Sequence, residues 1–315
     1  MEQLNSRKLK NSAAASIEKA GFDPRKLVLF HTAVALALSL ATLIIDFALE
    51  QGIGNTGGLS GVGLRSMLET VQMVLLAAQA IALPFWQIGW RYASLKTARG
   101  ETAEKTDLLQ GFRQFFPQLR LMILKGLIFL GLVFAGVYAG ALLASMLPVS
   151  GNIMDLTNPS LTDAQWMELF MQLALPPMII GSVAALALYV PFAYRFRMAE
   201  YFMLERPQLG ARIALRASRT LMRGKMWKMM KLDLSFWWFW LLTVVVSVLG
   251  WADVLLPQMG IELPWTAQIS YFVAYLVAAV AQLVLHYFCK AKVDVTYAHA
   301  YLALLPKEET TNESH

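Results

Sequence analysis

The sequence predicts an all-α polytopic membrane protein with six membrane-spanning helices. Of its 315 residues, 57% are hydrophobic and only 15% are charged, whereas a soluble globular chain averages about 45–50% apolar and about 25% charged residues. The mean hydropathy is +0.51. A soluble domain of this size could not bury the amount of apolar surface that this value implies. These values exclude a disordered chain, a coiled coil and a conventional soluble enzyme.

Six continuous apolar segments have the roughly 20 residues that a helix needs to cross a bilayer. They lack the period-2 alternation of membrane barrel strands, so we predict helices. The predicted spans are 27–49, 67–90, 119–147, 167–194, 232–256 and 268–290. We expect one six-span domain over residues 1–305 and a disordered cytoplasmic tail at 306–315.

The distribution of lysine and arginine predicts the orientation. Every Lys and Arg except Arg65 lies before the first span, in the segments Arg91–Lys125 and Arg195–Lys231 around the inner span ends, or from Lys290 onward. By the positive-inside rule, both termini are then cytoplasmic, and we expect a multi-pass protein of the bacterial cytoplasmic (inner) membrane. The same distribution accounts for the net charge of +6, so the basicity indicates topology rather than nucleic-acid binding.

Spans two and four end in similar sequences. Pro84 and Pro191 each precede a short aromatic and basic segment, and we expect each proline to kink its helix so that the chain turns along the membrane surface. Arg91 and Arg197 each lie 34 residues before the lysine that opens the next span. This spacing favours a repeat of about 106 residues, with three parallel hairpins over about 1–99, 100–205 and 206–305. The alternative is a serial hairpin protein that merely places arginine at each inner helix end.

The connection between spans two and three shows the pattern of an amphipathic helix lying in the membrane interface. Its apolar residues recur at helical spacing, and we expect Pro117 to break this helix just before span three. The residues predicted to share the apolar face are Leu108, Leu109, Phe112, Phe115, Phe116 and Leu119.

The connection between spans four and five is more basic. Four arginines recur at spacings of four, three and four residues, which predicts one stripe along a helix, and three lysines follow at three-residue spacing. These residues are Arg212, Arg216, Arg219, Arg223, Lys225, Lys228 and Lys231. We interpret them as a site for anionic membrane lipid or for a membrane-protein partner. The alternative is that they are solvated and only fix the topology.

The sequence carries no enzyme motif, so we predict a non-enzymatic protein without cofactor or metal. The ionisable residues of the spans lie near span ends, where we expect satisfied boundary groups. They are His31, Asp46, Glu50, Asp233, Asp253 and His286. The alternative function is that of a transporter or permease component, with a substrate path between the hairpins lined by Gln72, Gln79 and Gln282.

Two further patterns concern the packing of the spans. Gly136 and Gly140 form a small-xxx-small step in span three, which predicts close approach of another helix. The segment from Phe236 to Trp240 is aromatic throughout, and we expect it to anchor span five at the headgroup level.

The segment from Ser218 to Phe236 resembles a bacterial integral membrane family known as domain of unknown function 975. The shared pattern is a serine, a Met-basic-Gly-Lys step, an aromatic residue and a Leu-x-Leu-Ser-Phe opening of the next span. The matching positions are Ser218, Met222, Arg223, Gly224, Lys225, Trp227, Leu232, Leu234, Ser235 and Phe236. The resemblance implies a multispan membrane protein and supplies no substrate or mechanism.

Overall fold

The computed structural model describes residues 4–50, 59–144, 162–169, 171–172, 175–252, 255–256 and 267–306. Within these ranges all regular structure is helical, which confirms the predicted all-α class. The helices are α1 (Ser6–Lys19), α2 (Pro24–Glu50), α3 (Leu59–Arg99), α4 (Gln110–Arg113), α5 (Phe115–Ala144), α6 (Asp163–Leu169), α7 (Leu175–Arg195), α8 (Ala199–Glu205), α9 (Ala211–Met222), α10 (Met226–Leu234), α11 (Trp237–Leu249), α12 (Ala267–Leu285) and α13 (Ala291–Leu304).

Five helical stretches are long and apolar enough to cross a membrane. A sixth crossing results if α10 and α11, which are bent by 59° relative to each other, count as one span. The five stretches are Pro24–Leu49, Gly63–Arg99, Phe115–Leu143, Leu175–Glu205 and Ile269–Leu304. Many of their large apolar side chains are exposed, as expected for surfaces that lipid covers.

Two predicted spans differ from the structure in shape or length. The fifth span is not one straight helix, because Ser235 and Phe236 interrupt it between α10 and α11. The sixth span does not end at Lys290, since a π-helical turn (His286–Lys290) leads directly into α13. Lys290 pairs with Asp294 one turn later at 3.5 Å, so its charge is compensated inside the helix.

Parts of three predictions lie outside the described residues. They are the end of the third span at 145–147, residues 253 and 254 in the fifth span, and the tail from 307 onward. In the predicted fourth span, residues 170, 173 and 174 also lie outside them, and α7 begins at Leu175.

The expectation that the chain turns at Pro84 is wrong. Helix α3 continues past this proline to Arg99, and it ends at Gly100, whose φ of +81° is a backbone conformation that favours glycine. The second half of α3 is held by packing, because a Cβ at Gly89 would overlap the backbone of Leu108. The packing of this half of α3 therefore stabilises the helix by more than the missing N–H of Pro84 destabilises it.

The predicted amphipathic helix at 108–119 is also wrong. A 3-10 turn (Lys105–Leu109) and the single turn of α4 precede a break at Gln114, and α5 then begins at Phe115. Leu108 is fully buried, whereas Phe116 is 69% exposed, so the apolar residues do not share one face. Pro117 falls in the first turn of α5, where its missing N–H would have no helical partner.

Contacts divide the chain into two compact units. The first unit comprises Met1–Phe115 and Trp227–His315, and the second comprises Phe116–Met226. In the first unit, α2 packs along α3, α11 packs along α12, and α1 and the second half of α3 both pack on α13. The deepest part of this unit is the layer of α1, α3 and α13, where Trp90 and Tyr301 are completely buried.

In the second unit, α5 and α7 are in close contact through small residues. A Cβ at Gly136 would lie 2.5 Å from the Cα of Ala185, and one at Gly140 would overlap Gly181. The close approach predicted from the Gly136 and Gly140 spacing is confirmed. At the other end of these helices, α8 and α9 cover the start of α5.

Candidate functional site: the basic helix α9

Helix α9 has one buried face and one cationic face. Its buried residues are Ala214, Leu215, Ser218 and Met222. Arg212, Arg216 and Arg219 are exposed and follow the predicted stripe within the helix. Arg223 is also exposed, but it caps the helix with an extended backbone (φ −60°, ψ 122°), so it extends the stripe beyond the last helical turn.

The buried face of α9 completes a small apolar core of the second unit. Leu121 of α5, Met203 of α8, and Ala214 and Leu215 of α9 are all buried in this core. Burying a side chain of this size contributes about 1.5–3 kcal/mol. Hydrophobic packing therefore fixes the rotation of α9 and directs its arginines away from the unit.

Ser218 connects α9 to the end of the fourth span. Its completely buried hydroxyl donates to the carbonyl oxygen of Arg195 at 2.9 Å and accepts from the backbone N–H of Met198 at 3.1 Å. Both backbone groups lie in the turn between α7 and α8, where helical hydrogen bonding is interrupted. Beside this turn, Lys125 of α5 pairs with Glu200 of α8 at 2.5 Å.

The arginines of α9 differ from Lys96, Lys125 and Lys290 in having no acidic partner among the described residues. Lys96 pairs with Asp107 at 3.1 Å, and Lys125 and Lys290 also have carboxylate partners. Across the part of the chain that the structure describes, Arg212, Arg216, Arg219 and Arg223 form no ion pair with Asp or Glu. Their charge is therefore available to an anion from outside the protein.

The three predicted lysines follow after a sharp turn. Gly224 has a φ of +70°, which separates α9 from α10 and favours glycine. Lys225 precedes α10 and belongs to the second unit, whereas Lys228 and Lys231 lie on α10 within the first unit. The Nζ of Lys231 lies 5.9 Å from the ring centre of Trp227.

The residues that carry the family resemblance also have structural roles in the first unit. Phe236 is buried at the break between α10 and α11. The Nζ of Lys10 donates to the carbonyl oxygen of Ser235 at 2.7 Å and lies 4.1 Å from the ring centre of Phe236. Burial, together with the positive charge of Lys292, lowers the pKa of Lys10. The bend in span five therefore contacts α1 through Lys10.

A buried polar cluster in the first unit was not predicted from the sequence. The ring of His286 is held by Thr32 Oγ1 at 2.9 Å from Nδ1 and by Gln282 Nε2 at 2.6 Å from Nε2. The indole N–H of Trp90 donates to Asp294 at 2.6 Å. The π-helical turn after α12 brings these groups together, and such turns occur frequently at functional sites.

His31 differs from the other boundary residues. Its ring stacks on Trp86 with 5.5 Å between ring centres, and only 5% of the residue is exposed. Among the described residues, neither ring nitrogen has a hydrogen-bond partner. The expectation of a satisfied boundary group is therefore wrong for His31, whereas Asp46 accepts a bond from Gln72 and Asp233 accepts one from Tyr297.

The three glutamines predicted to line a path have different surroundings. Gln72 bonds to Asp46, and the amide of Gln79 donates to Thr42 and to the Leu38 carbonyl, so both join α3 to α2. Gln282 lines a groove of about 500 Å³ between α11 and α12. Gln72 and Gln79 do not line this groove.

The described residues contain no cluster of three or more His, Cys, Asp or Glu side chains able to hold a metal ion. The one cysteine, Cys289, is free and half-buried. In the described part of the chain, functional groups concentrate on α9 and in the polar cluster around His286.

The protein is a helical multi-pass membrane protein, because its long apolar helices expose many apolar side chains and basic helices pack at their ends. A family model described as "Protein of unknown function (DUF975)" matches residues 8–304, and the chain belongs to this family. The resemblance seen in the segment from Ser218 to Phe236 is thereby confirmed. Searches of curated proteins and of solved structures find no match.

Proposed function

We propose that this protein is a non-enzymatic membrane module that binds anionic lipid through the exposed arginine stripe of α9. The observation that carries the proposal is the combination of a buried apolar face with four exposed arginines that have no acidic partner in the described chain. A solvated helix that only fixes topology needs no such alignment. Each arginine near an anionic leaflet contributes roughly 1 kcal/mol to binding.

The proposal includes the orientation. We place α9 and both termini at the cytoplasmic face of the bacterial inner membrane, because nearly all lysine and arginine residues fall on one side of the predicted spans. At that surface the anionic headgroups of the inner leaflet would lie within reach of the stripe. A partner subunit with an acidic surface is the competing ligand, and the experiment below separates the two.

The geometry gives less support to transport. Two of the three candidate path residues, Gln72 and Gln79, are engaged in bonds that join α3 to α2. A path through these positions would require those bonds to break. We therefore favour lipid binding at α9 over a substrate path between the helices of the first unit.

The proposal is tested by the lipid selectivity of the full chain in proteoliposomes. Spin-labelled phosphatidylglycerol and phosphatidylcholine are compared, and the immobilised fraction of each gives their relative association constants. We expect the wild type to prefer phosphatidylglycerol and the variant with all four α9 arginines changed to glutamine to lose that preference at least fivefold, the equivalent of about 1 kcal/mol.

A matched control removes the same charge elsewhere. Its four cations are exposed residues near the N-terminus, and we expect it to keep most of the preference. The control combines Arg7→Gln, Lys8→Gln, Lys19→Gln and Arg25→Gln. Equal losses in both variants would show a general charge effect and overturn the assignment to α9. An unchanged preference in the α9 variant would leave a partner subunit as the ligand of the stripe.

A further inference from the structure

A groove in the second unit lies between the start of α5 and the start of α9. Its volume is about 560 Å³, within the roughly 300–1,000 Å³ typical of small-molecule sites. Its walls are formed by α5, by the turn before α9 and by the first turn of α9 itself. All of its lining residues belong to one compact unit, so the groove does not depend on the placement of the other unit.

The walls of the groove are apolar. They comprise Ile123, Leu124, Leu127, Leu209 and Ile213, together with the small residues Gly210 and Ala211. Ile123, Leu127 and Ile213 are exposed to roughly half of their full extent. An exposed apolar groove next to a membrane span favours the binding of a hydrocarbon chain, because lipid and not water is the medium around α5.

Two arginines line the same groove. Arg120 lies one turn before Leu124 on α5, and Arg212 lies in the first turn of α9. Both are exposed, and no carboxylate of the described chain forms an ion pair with either. Arginine is well suited to phosphate, since its planar guanidinium donates two parallel hydrogen bonds to phosphate oxygens.

We propose that this groove binds one molecule of an anionic glycerophospholipid. Its phosphate is held by Arg120 and Arg212, and an acyl chain lies against Ile123, Leu127 and Ile213. The proposal rests on the proposed function of α9 and makes it more specific. The stripe from Arg216 to Arg223 attracts the anionic membrane surface. The groove selects one lipid molecule by the charge of its phosphate and by its acyl chain.

The groove assigns a role to Arg120, which lies on α5 and outside the stripe. It also divides the stripe into two parts, because Arg212 lines the groove and Arg219 does not. Variants at these positions therefore have different effects. Loss of Arg120 and Arg212 removes a saturable site, whereas loss of Arg219 and Arg223 reduces only the weaker binding of further anionic lipid.

The test uses the full chain, delipidated in detergent, with native mass spectrometry to count bound lipids. The probes are dipalmitoyl phosphatidylglycerol, dipalmitoyl phosphatidylcholine and phosphatidylglycerol with eight-carbon chains. We expect the wild type to hold one long-chain phosphatidylglycerol more tightly than any further molecule, the short-chain lipid to bind at least tenfold more weakly, and phosphatidylcholine not to saturate the site.

Charge variants test the arginines. The double variant Arg120→Gln, Arg212→Gln should weaken the first phosphatidylglycerol by about 25-fold, since each arginine is worth roughly fivefold near anionic lipid. The matched control Arg219→Gln, Arg223→Gln removes the same charge from the same unit and should change that first binding constant less than threefold. Equal effects of the two double variants would overturn the proposed site.

Shape variants test the apolar wall. The double variant Leu127→Trp, Ile213→Trp should fill the groove and abolish the dependence of lipid binding on acyl-chain length. The control variant Leu130→Trp, Phe134→Trp changes two exposed positions on α5 outside the groove and should preserve that dependence. If the filled variant fails to fold, the charge variants still decide the question. If Arg120→Gln, Arg212→Gln binds the first phosphatidylglycerol like wild type, the groove is not the site. The four-arginine variant in proteoliposomes then still decides the function of α9. If wild type shows no preference for phosphatidylglycerol, both proposals fail.

Discussion

Replacing Ser218 with alanine should loosen the attachment of α9 to the end of the fourth span. The hydroxyl satisfies two backbone groups in the turn after α7, namely the carbonyl of Arg195 and the N–H of Met198. Ser218 and Met198 are both completely buried, so water does not readily replace the lost bonds. The cationic face of α9 depends on this attachment for its position.

The size of the effect follows from these two bonds. Leaving a buried polar group without a partner costs about 1–3 kcal/mol, so two such groups cost about 2–4 kcal/mol when the turn relaxes partly. The better helix propensity of alanine over serine offsets about 0.5 kcal/mol of this. A net loss of about 1.5–3.5 kcal/mol corresponds to a roughly 10- to 400-fold change in an opening equilibrium, because 1.36 kcal/mol is tenfold.

Amide hydrogen exchange measures this opening directly. In Ser218→Ala, the peptide that contains Met198 should exchange roughly 10- to 400-fold faster than in wild type, and the melting temperature in detergent should fall. Thr220→Ala is the matched control on the same helix, since Thr220 is exposed and its hydroxyl bonds only to the Arg216 carbonyl one turn back. If the two variants exchange at the same rate around Met198, the reasoning about Ser218 is refuted.

Two further predictions concern packing and orientation. Gly136→Ala should lower the melting temperature, because its Cβ would lie 2.5 Å from the Cα of Ala185 and overpacking costs about 1–3 kcal/mol. Gly131→Ala is the control, because its Cβ would meet no described atom within 4 Å, and it should be neutral or stabilising by up to about 1 kcal/mol. Equal melting temperatures of the two variants would contradict the close approach of α5 and α7. Arg216→Cys in a Cys289→Ser background should react with a membrane-impermeant maleimide in inverted vesicles and not in right-side-out vesicles. Labelling from the outside would reverse the proposed orientation.

The alignment of the exposed arginines along one side of α9 was predictable because it is a local property. Arginines at spacings of three and four fall on one side of any α-helix, whatever that helix contacts. The same holds for Gly136 and Gly140, whose spacing exposes a strip of backbone to a neighbouring helix. These two features agree with the structure because helix geometry alone fixes them.

The segment after span two was not predictable in the same way. Leu108 and Phe116 have equivalent places in an apolar periodicity, yet the first is buried against α3 and the second is exposed. Periodicity states which residues share a face of a continuous helix, but it does not state that the helix is continuous. The break at Gln114 results from contact of this segment with the long extension of α3.

The sequence by itself determined the class of the protein, because apolar content, segment length and charge are sums over residues and need no partner. It also determined which side of α9 is cationic. The tertiary structure alone decided that α3 continues beyond its apolar segment and that α12 leads through a π-helical turn into α13. It also decided that His31 is enclosed without a hydrogen-bond partner among the described residues, and that Arg120 and Arg212 share a groove. Each of these depends on residues far apart in the chain, and the free energy of bringing such residues together is not encoded in any one segment.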